Sequence, residues 1–208
     1  MSKRLAKELG YTYLDTGAMY RAFAWKAREE KLDLGDEKAL KRSLQETTVD
    51  LSEEEGRLKV YLNGLDVSDR IRSPELSQMA SRISSLKSVR ERMVELQRAM
   101  GSEGGVVAEG RDIGTVVFPD AEVKIYLDAS HEERARRRFE ELKGQGERTT
   151  LVETLEEIEV RDQRDKGRSV APLRKAEDAI VIDATNMGVD GVVERIMREI
   201  KSKLPEVS

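Results

Sequence analysis

Cysteine is missing from all 208 residues, which excludes a disulfide framework, a thiol nucleophile and a thiolate metal site. No apolar run approaches the ~20 residues needed to span a bilayer, and the residues after Met1 are polar and basic, unlike a signal peptide. Aromatics are scarce at 4% while charged residues reach 38%, the balance of a helix-rich chain in water. The net charge is only -4, which speaks against a nucleic-acid binder that works by bulk electrostatics. Internal repeats and low-complexity linkers are absent too. These absences predict a cytoplasmic protein that works on a small molecule and on neither nucleic acid nor membrane, and a monomer is the default expectation. The length suits one α/β domain with an insertion, or two small domains.

Arginine is what the chain has in quantity, with 23 of its 37 basic residues, clustered at Arg134 to Arg138 and at Arg161 to Arg168. A guanidinium forks onto phosphate oxygens, so local arginine in an acidic chain suits a small anion. A solvated basic face is the plainer account of the first run, and an i,i+4 salt bridge between Arg161 and Asp165 the plainer account of the second.

The organising stretch is Val106 to Pro119, V-V-A-E-G-R-D-I-G-T-V-V-F-P. Val106-Val107-Ala108 suits a buried parallel strand that delivers Glu109-Gly110-Arg111-Asp112 to the carboxyl edge of a sheet, where ligands of α/β proteins sit. Arg111 could grip a phosphate and Asp112 could accept from an amine or hydroxyl, or both could be an ordinary surface pair at a strand exit.

Periodicity sets out the rest. Ser2 to Leu9 reads as a helix stopped by Gly10, with no strand ahead of it. Tyr11 to Leu14 is β-prone and ends at Asp15-Thr16-Gly17. Ala18 to Lys31 is helical with Met19, Ala22, Phe23 and Ala27 on one face, and Tyr20 and Arg21 in its first turn. Residues 33–77 read as an inserted subdomain: a helix near Asp36 to Ser43, then short antiparallel strands with a hairpin at Asn63-Gly64. From Pro74 the apolar spacing predicts one helix to about Met100, with Ser81 and Arg90 off its apolar stripe. Val123 to Leu127 is a strand, and Ser130 and Glu133 have capping-box spacing for the helix that carries Arg134 to Arg138. His131, the lone histidine, falls in that helix's first turn and is expected to face solvent. Gly144 to Gly146 breaks it before a second helix from about Thr150, which ends in Arg161-Asp162-Gln163-Arg164-Asp165. Two arginine-bearing helices across a glycine hinge resemble a lid. Ala179 to Asp183 is a fully apolar strand, and Val189 to Leu204 a closing helix. The sum is a doubly wound or P-loop-like α/β sheet with one insertion and one lid.

Three segments together, Leu14-Asp15-Thr16-Gly17-Ala18-Met19-Tyr20-Arg21, Glu109 to Ala121, and Arg161-Asp162-Gln163-Arg164-Asp165, closely resemble bacterial cytidylate kinases, and the likeness spans essentially the whole chain. The resemblance implies transfer of the γ-phosphoryl group of ATP to CMP or dCMP with Mg²⁺, in a P-loop nucleoside-monophosphate-kinase fold. It implies a core of residues 1–32 and 78–208 with a lid at about 134–160, and an inserted NMP-binding subdomain at 33–77. Arg21 and Arg111 would hold the acceptor phosphate, with Thr16 and Tyr20 in the same pocket. Ser81, Arg90, Asp112 and Arg168 would read the cytosine, whose amine and ring acceptors suit a carboxylate, an arginine and a hydroxyl. Arg161 and Asp165 would hold the pentose, so Arg111, Asp112 and Arg161 lie nearest the chemistry, and Arg137 and Arg138 would approach the donor phosphates. No metal ligand is assigned. The family's G-x-x-x-x-G-K-[ST] loop and first strand have no counterpart here, and none of the 15 glycines is followed by lysine. The expectation is therefore a natural start upstream of Met1 and little turnover by the 208 residues. The alternative is a non-catalytic CMP-binding protein or an inactive fragment.

Overall fold

The computed structural model describes residues 1–168 and 170–204; Ser169, the end of the arginine run, and residues 205–208 lie outside the described residues. Helix α1 (Ser2–Leu9) stops at Gly10, whose φ of 68° lies in the left-handed region that a residue without Cβ enters freely. Strand β1 (Thr12–Asp15) follows, and Asp15 caps α2 (Thr16–Glu29) by accepting from the Ala18 amide at 2.8 Å. Met19, Ala22, Phe23 and Ala24 of α2 are fully buried and form the spine of the larger core.

Residues 33–73 hold α3 (Glu37–Gln45) and an antiparallel sheet of β2 (Val49–Glu54), β3 (Arg57–Leu62) and β4 (Leu65–Asp66) in that order. Asn63 and Gly64 form the expected hairpin, with φ of 49° and 79°, the positive values a two-residue I′ turn demands. Leu40, Leu44, Val49, Val60 and Leu62 join the core around Met19 and Phe23, so this segment packs on α2.

The long helix expected from Pro74 is two helices. α4 (Pro74–Ile83) ends, Leu86 is extended at φ -76° and ψ 125°, and α5 (Lys87–Met100) begins. The hydroxyls of Ser84 and Ser85 donate back to the carbonyls of Ser81 and Arg82, at 2.9 and 2.6 Å. Serine competes with the helix in this way, which the apolar spacing could not register. The Arg90 guanidinium donates to the Ser84 carbonyl at 2.9 Å, so the break also brings Arg90 back beside α4.

Strand β5 (Val106–Glu109) runs parallel to β1, from Thr12 opposite Val106 to Asp15 opposite Glu109. It ends as the sequence predicts, but a π-helical turn, Ile113–Val117, follows unannounced, with the Phe118 amide donating to the Ile113 carbonyl at 2.8 Å. Strand β6 (Ile125–Asp128) pairs in parallel with β7 (Ile180–Asp183). Between them in sequence lie α6 (His131–Gly144) and α7 (Leu151–Lys166), and α8 (Val189–Lys203) closes the chain. Only half of the expected box caps α6: Ser130 accepts from the Glu133 amide, but the Glu133 carboxylate accepts from Arg136 and Arg137. The reciprocal box caps α7, between Thr150 and Glu153. His131 is exposed, 3.7 Å from Glu159.

The parallel α/β architecture is as expected, with one feature that governs the rest. Among the described residues β1–β5 and β6–β7 are separate parallel pairs. A groove of about 1650 Å³ lies between them, lined by β5, β6, α1 and α8. Alternate residues of β5 serve two cores, Val106 and Ala108 the larger and Val107 the smaller one of Leu5, Ile182, Val193 and Ile196. Because β5 and β6 each have a strand on one side only, Val107, Ile125 and Tyr126 stay partly exposed.

Candidate active site

The β1–α2 turn, the carboxyl end of β5, α4, α5 and the end of α7 converge on a second cavity of about 310 Å³. Its floor is set by close backbone approach. The Thr16 hydroxyl donates to the Glu109 carbonyl at 2.7 Å, tying the two motif loops together. A Cβ on Gly110 would stand 2.4 Å from Thr16 Oγ1, so only glycine fits.

The walls are arginines, each already matched to an acid or a hydroxyl. Arg21 donates to Asp15 at 3.1 Å. Arg90 donates to Asp112, both nearly fully buried, and its guanidinium lies 5.9 Å from the Tyr20 ring centre. Arg168 donates to Ser84 Oγ at 2.8 Å and to Asp165, which is wholly buried. Arg111 reaches Asp162 at 3.1 Å and Asp165 at 3.5 Å. Asp162 also accepts from Arg134 at 2.6 Å, and Arg134 in turn donates to the Ala129 carbonyl at the end of β6.

Burial and the positive charges of Arg111, Arg21 and Arg168 lower Arg161 to about 10, with Asp165 opposing them, so it stays charged at neutral pH. Burial works against ionisation of Asp162, but Arg134 and Arg111 outweigh it and hold the carboxyl below its usual range. Burial pushes Tyr20 up to about 12. Tyr20 Oη, Arg90 Nε and Arg168 Nε are buried with no hydrogen-bond partner among the described residues.

Comparison with known proteins gives the site its context. The cytidylate kinase family profile matches residues 1–202. The chain belongs to the cytidylate kinase family. It is 48% identical over 203 residues to a cytidylate kinase of Lactobacillus johnsonii, covering 98% of this chain and 88% of that one. It is 49% identical to one from Syntrophotalea carbinolica, with 98% and 86% covered. It is 50% identical to one from Pelotomaculum thermopropionicum, with 97% and 90% covered.

Nine of the ten residues expected to hold the nucleotide of a cytidylate kinase line the one cavity: Thr16, Tyr20, Arg21, Ser81, Arg90, Arg111, Asp112, Arg161 and Arg168. The tenth, Asp165, lies behind them as the shared carboxylate of Arg111 and Arg168, with Arg161 at 3.9 Å. The helix ends at Lys166, yet Arg168 still meets Asp165 because the chain turns at Gly167. Arg137 and Arg138 line neither cavity. Arg137 donates to Glu133 and to the carbonyls of Ala184 and Met187, and Arg138 lies 2.7 Å from Glu141. Sequence reasoning missed Ser84 and Asp162. A serine that breaks a helix and an acid between two arginines carry no spacing signal of their own.

Proposed function

We infer that the chain binds CMP or dCMP in the 310 Å³ cavity, as the acceptor of a γ-phosphoryl group from ATP. The observation that carries this reading is the pairing of two residue sets in one cavity. Arg21, Arg111 and Arg161 form an arginine set for a phosphate and pentose, and Asp112, Arg90, Ser81 and Arg168 form a polar set for the base. Phosphoryl transfer asks a protein for position and charge neutralisation more than for covalent chemistry. Arg111 is suited to both, since it lines the cavity with about a third of its side chain exposed while Asp162 and Asp165 fix its direction. Asp112, an acceptor held by Arg90, suits the cytosine amine. The reading includes a cytoplasmic monomer, tested by fractionation and light scattering.

ATP and Mg²⁺ supply the transferred group and the charge that steadies it. In our reading the residues named above form the acceptor side and not the cradle for them. None of the 15 glycines precedes a lysine, so this reading assigns no phosphate-binding loop. Arg137 and Arg138 are left as the proposed donor contacts, and the chemistry that this chain's own residues define is that of the acceptor half. The 208-residue chain should therefore turn over CMP slower than its longer relatives by on the order of 10³-fold in a coupled assay with ATP and Mg²⁺. Turnover at the relatives' rate would overturn this. The same observation favours a second reading, a CMP-binding protein without catalysis. Calorimetry decides it: CMP binding without turnover supports it, and no binding marks an inactive fragment.

A further inference from the structure

Ser81 lies on α4, 5% exposed, and lines the cavity with Asp112. Behind it stands Arg164 of α7, which does not line the cavity and donates from Nη1 to Ser81 Oγ at 3.1 Å. A guanidinium has donors and no acceptor, so the Ser81 oxygen can only accept in that bond. Its own proton is left to donate, and no protein acceptor takes it among the described residues. Asp112 has the opposite polarity. Its carboxylate accepts, and with Oδ2 taken by Arg90 it has Oδ1 to offer.

We propose that Arg164 is a specificity-determining positioning residue, which sets the Ser81 hydroxyl to donate and so makes Asp112 and Ser81 an acceptor–donor pair for the edge of the base. Cytosine presents a donor at its N4 amine and an acceptor at N3, which match that pair in order. Uracil presents an acceptor at O4 and a donor at N3–H, which oppose it at both positions. A hydroxyl free to rotate serves either base, whereas one with a lone pair held by a guanidinium has less acceptor capacity left and its proton turned from Arg164, which favours cytosine N3 over uracil N3–H. The bond also joins α7 to α4, which Gln78 and Glu157 bridge at 3.1 Å, so docking of α7 and reading of the base become one event.

This inference rests on the CMP reading of the cavity, and calorimetric titration of the 208-residue chain with CMP and UMP separates the two. Arg164→Met should lower the CMP-to-UMP affinity ratio about tenfold by weakening CMP. Arg164→Lys, which keeps a donor-only group, should restore most of the ratio. Ser81→Ala should lose as much as Arg164→Met, and the double variant should lose no more than either single one, because both remove the same contact. If Ser81→Ala lowers the ratio and Arg164→Met does not, the role of Arg164 is overturned and the base reading stands. Equal weakening of both nucleotides by Arg164→Met also overturns it, since the residue then only docks α7. If Ser81→Ala and Arg164→Met both leave the ratio unchanged, or the parent chain binds the two nucleotides equally or not at all, the inference fails together with the base reading. Should Arg164→Met not fold, as circular dichroism would report, Ser81→Ala and Arg164→Lys still decide: loss of the ratio in the first with retention in the second supports the proposal, and loss in both overturns it.

Discussion

The 310 Å³ cavity and the groove between β5 and β6 share Glu109, Gly110, Arg111 and Asp112 in their walls, yet those walls are held in opposite ways. Around the cavity nearly every charged group has a partner from another element: Arg90 of α5 with Asp112, Arg111 with Asp162 of α7, Arg164 of α7 with Ser81 of α4. Among the described residues the groove is bounded by strands that are each paired on one side, and Leu127 of β6, in its wall, is 38% exposed. Side-chain ion pairs can lock a site locally, from a few residues. A sheet is held by neighbours on both edges, and no side-chain contact substitutes for one.

That contrast can be broken or sharpened by experiment. The largest difference should appear in amide hydrogen exchange. Amides of β5 and β6 that face the groove should exchange faster than those in the middle of α2 by on the order of 10³-fold, the gap between local opening and global unfolding. Equal protection would mean that the groove is closed in solution. Arg90→Met should come next. It leaves Asp112 charged, buried and unpaired, and should cost about 3 kcal/mol in urea unfolding. A cost under about 1 kcal/mol would show that the pair is solvated.

Gly110→Ala should destabilise by about 1–3 kcal/mol and abolish CMP binding, because the new Cβ would meet Thr16 Oγ1 at 2.4 Å and Ile113 Cδ1 at 2.8 Å. Gly144→Ala, with nothing within 4 Å, is the control and should leave stability unchanged or slightly raised. Thermal melts of the two would settle whether the cavity floor is as tight as it stands.

Asp162→Asn should have the smallest effect and the most specific. CMP should bind about tenfold more weakly, roughly 1.4 kcal/mol, while cytidine, which lacks the phosphate, binds as before. Asp162 has a lowered pKa in the folded state, so its contribution to stability is complete above the ordinary carboxylate range and is lost as pH falls through the lowered value. Acid unfolding of the parent chain should therefore show a loss of stability below about pH 4 that the asparagine variant lacks. Equal losses in both would place Asp162 outside the folded network.

Much of the site was legible because its residues sit in short motifs whose local geometry is rigid. Asp15 caps α2 and grips Arg21 six residues on, and Glu109-Gly110-Arg111-Asp112 leaves a strand at a fixed point. The helix from Pro74 was misread because Leu76, Ile83, Val89 and Met93 keep helical spacing across a break made by serine hydroxyls, and hydroxyl bonding leaves no mark on apolar periodicity. Asp162 and Arg164 lie within a short motif, but their partners are 51 and 83 residues away. Nothing local distinguishes them from the exposed Gln163 between them.

By itself the sequence determined the order of strands and most helices, the hairpin at Asn63-Gly64 and the stop at Gly10. Those follow from backbone sterics and from periodicity, which act over a few residues. Tertiary structure alone decided which arginine each acid neutralises, that Arg90 folds back beside Asp112, that Arg164 stands behind Ser81, and that the parallel strands form two pairs with a groove between them. Each of these is a contact between distant segments, and its energy depends on distance and burial that no stretch of chain carries within itself.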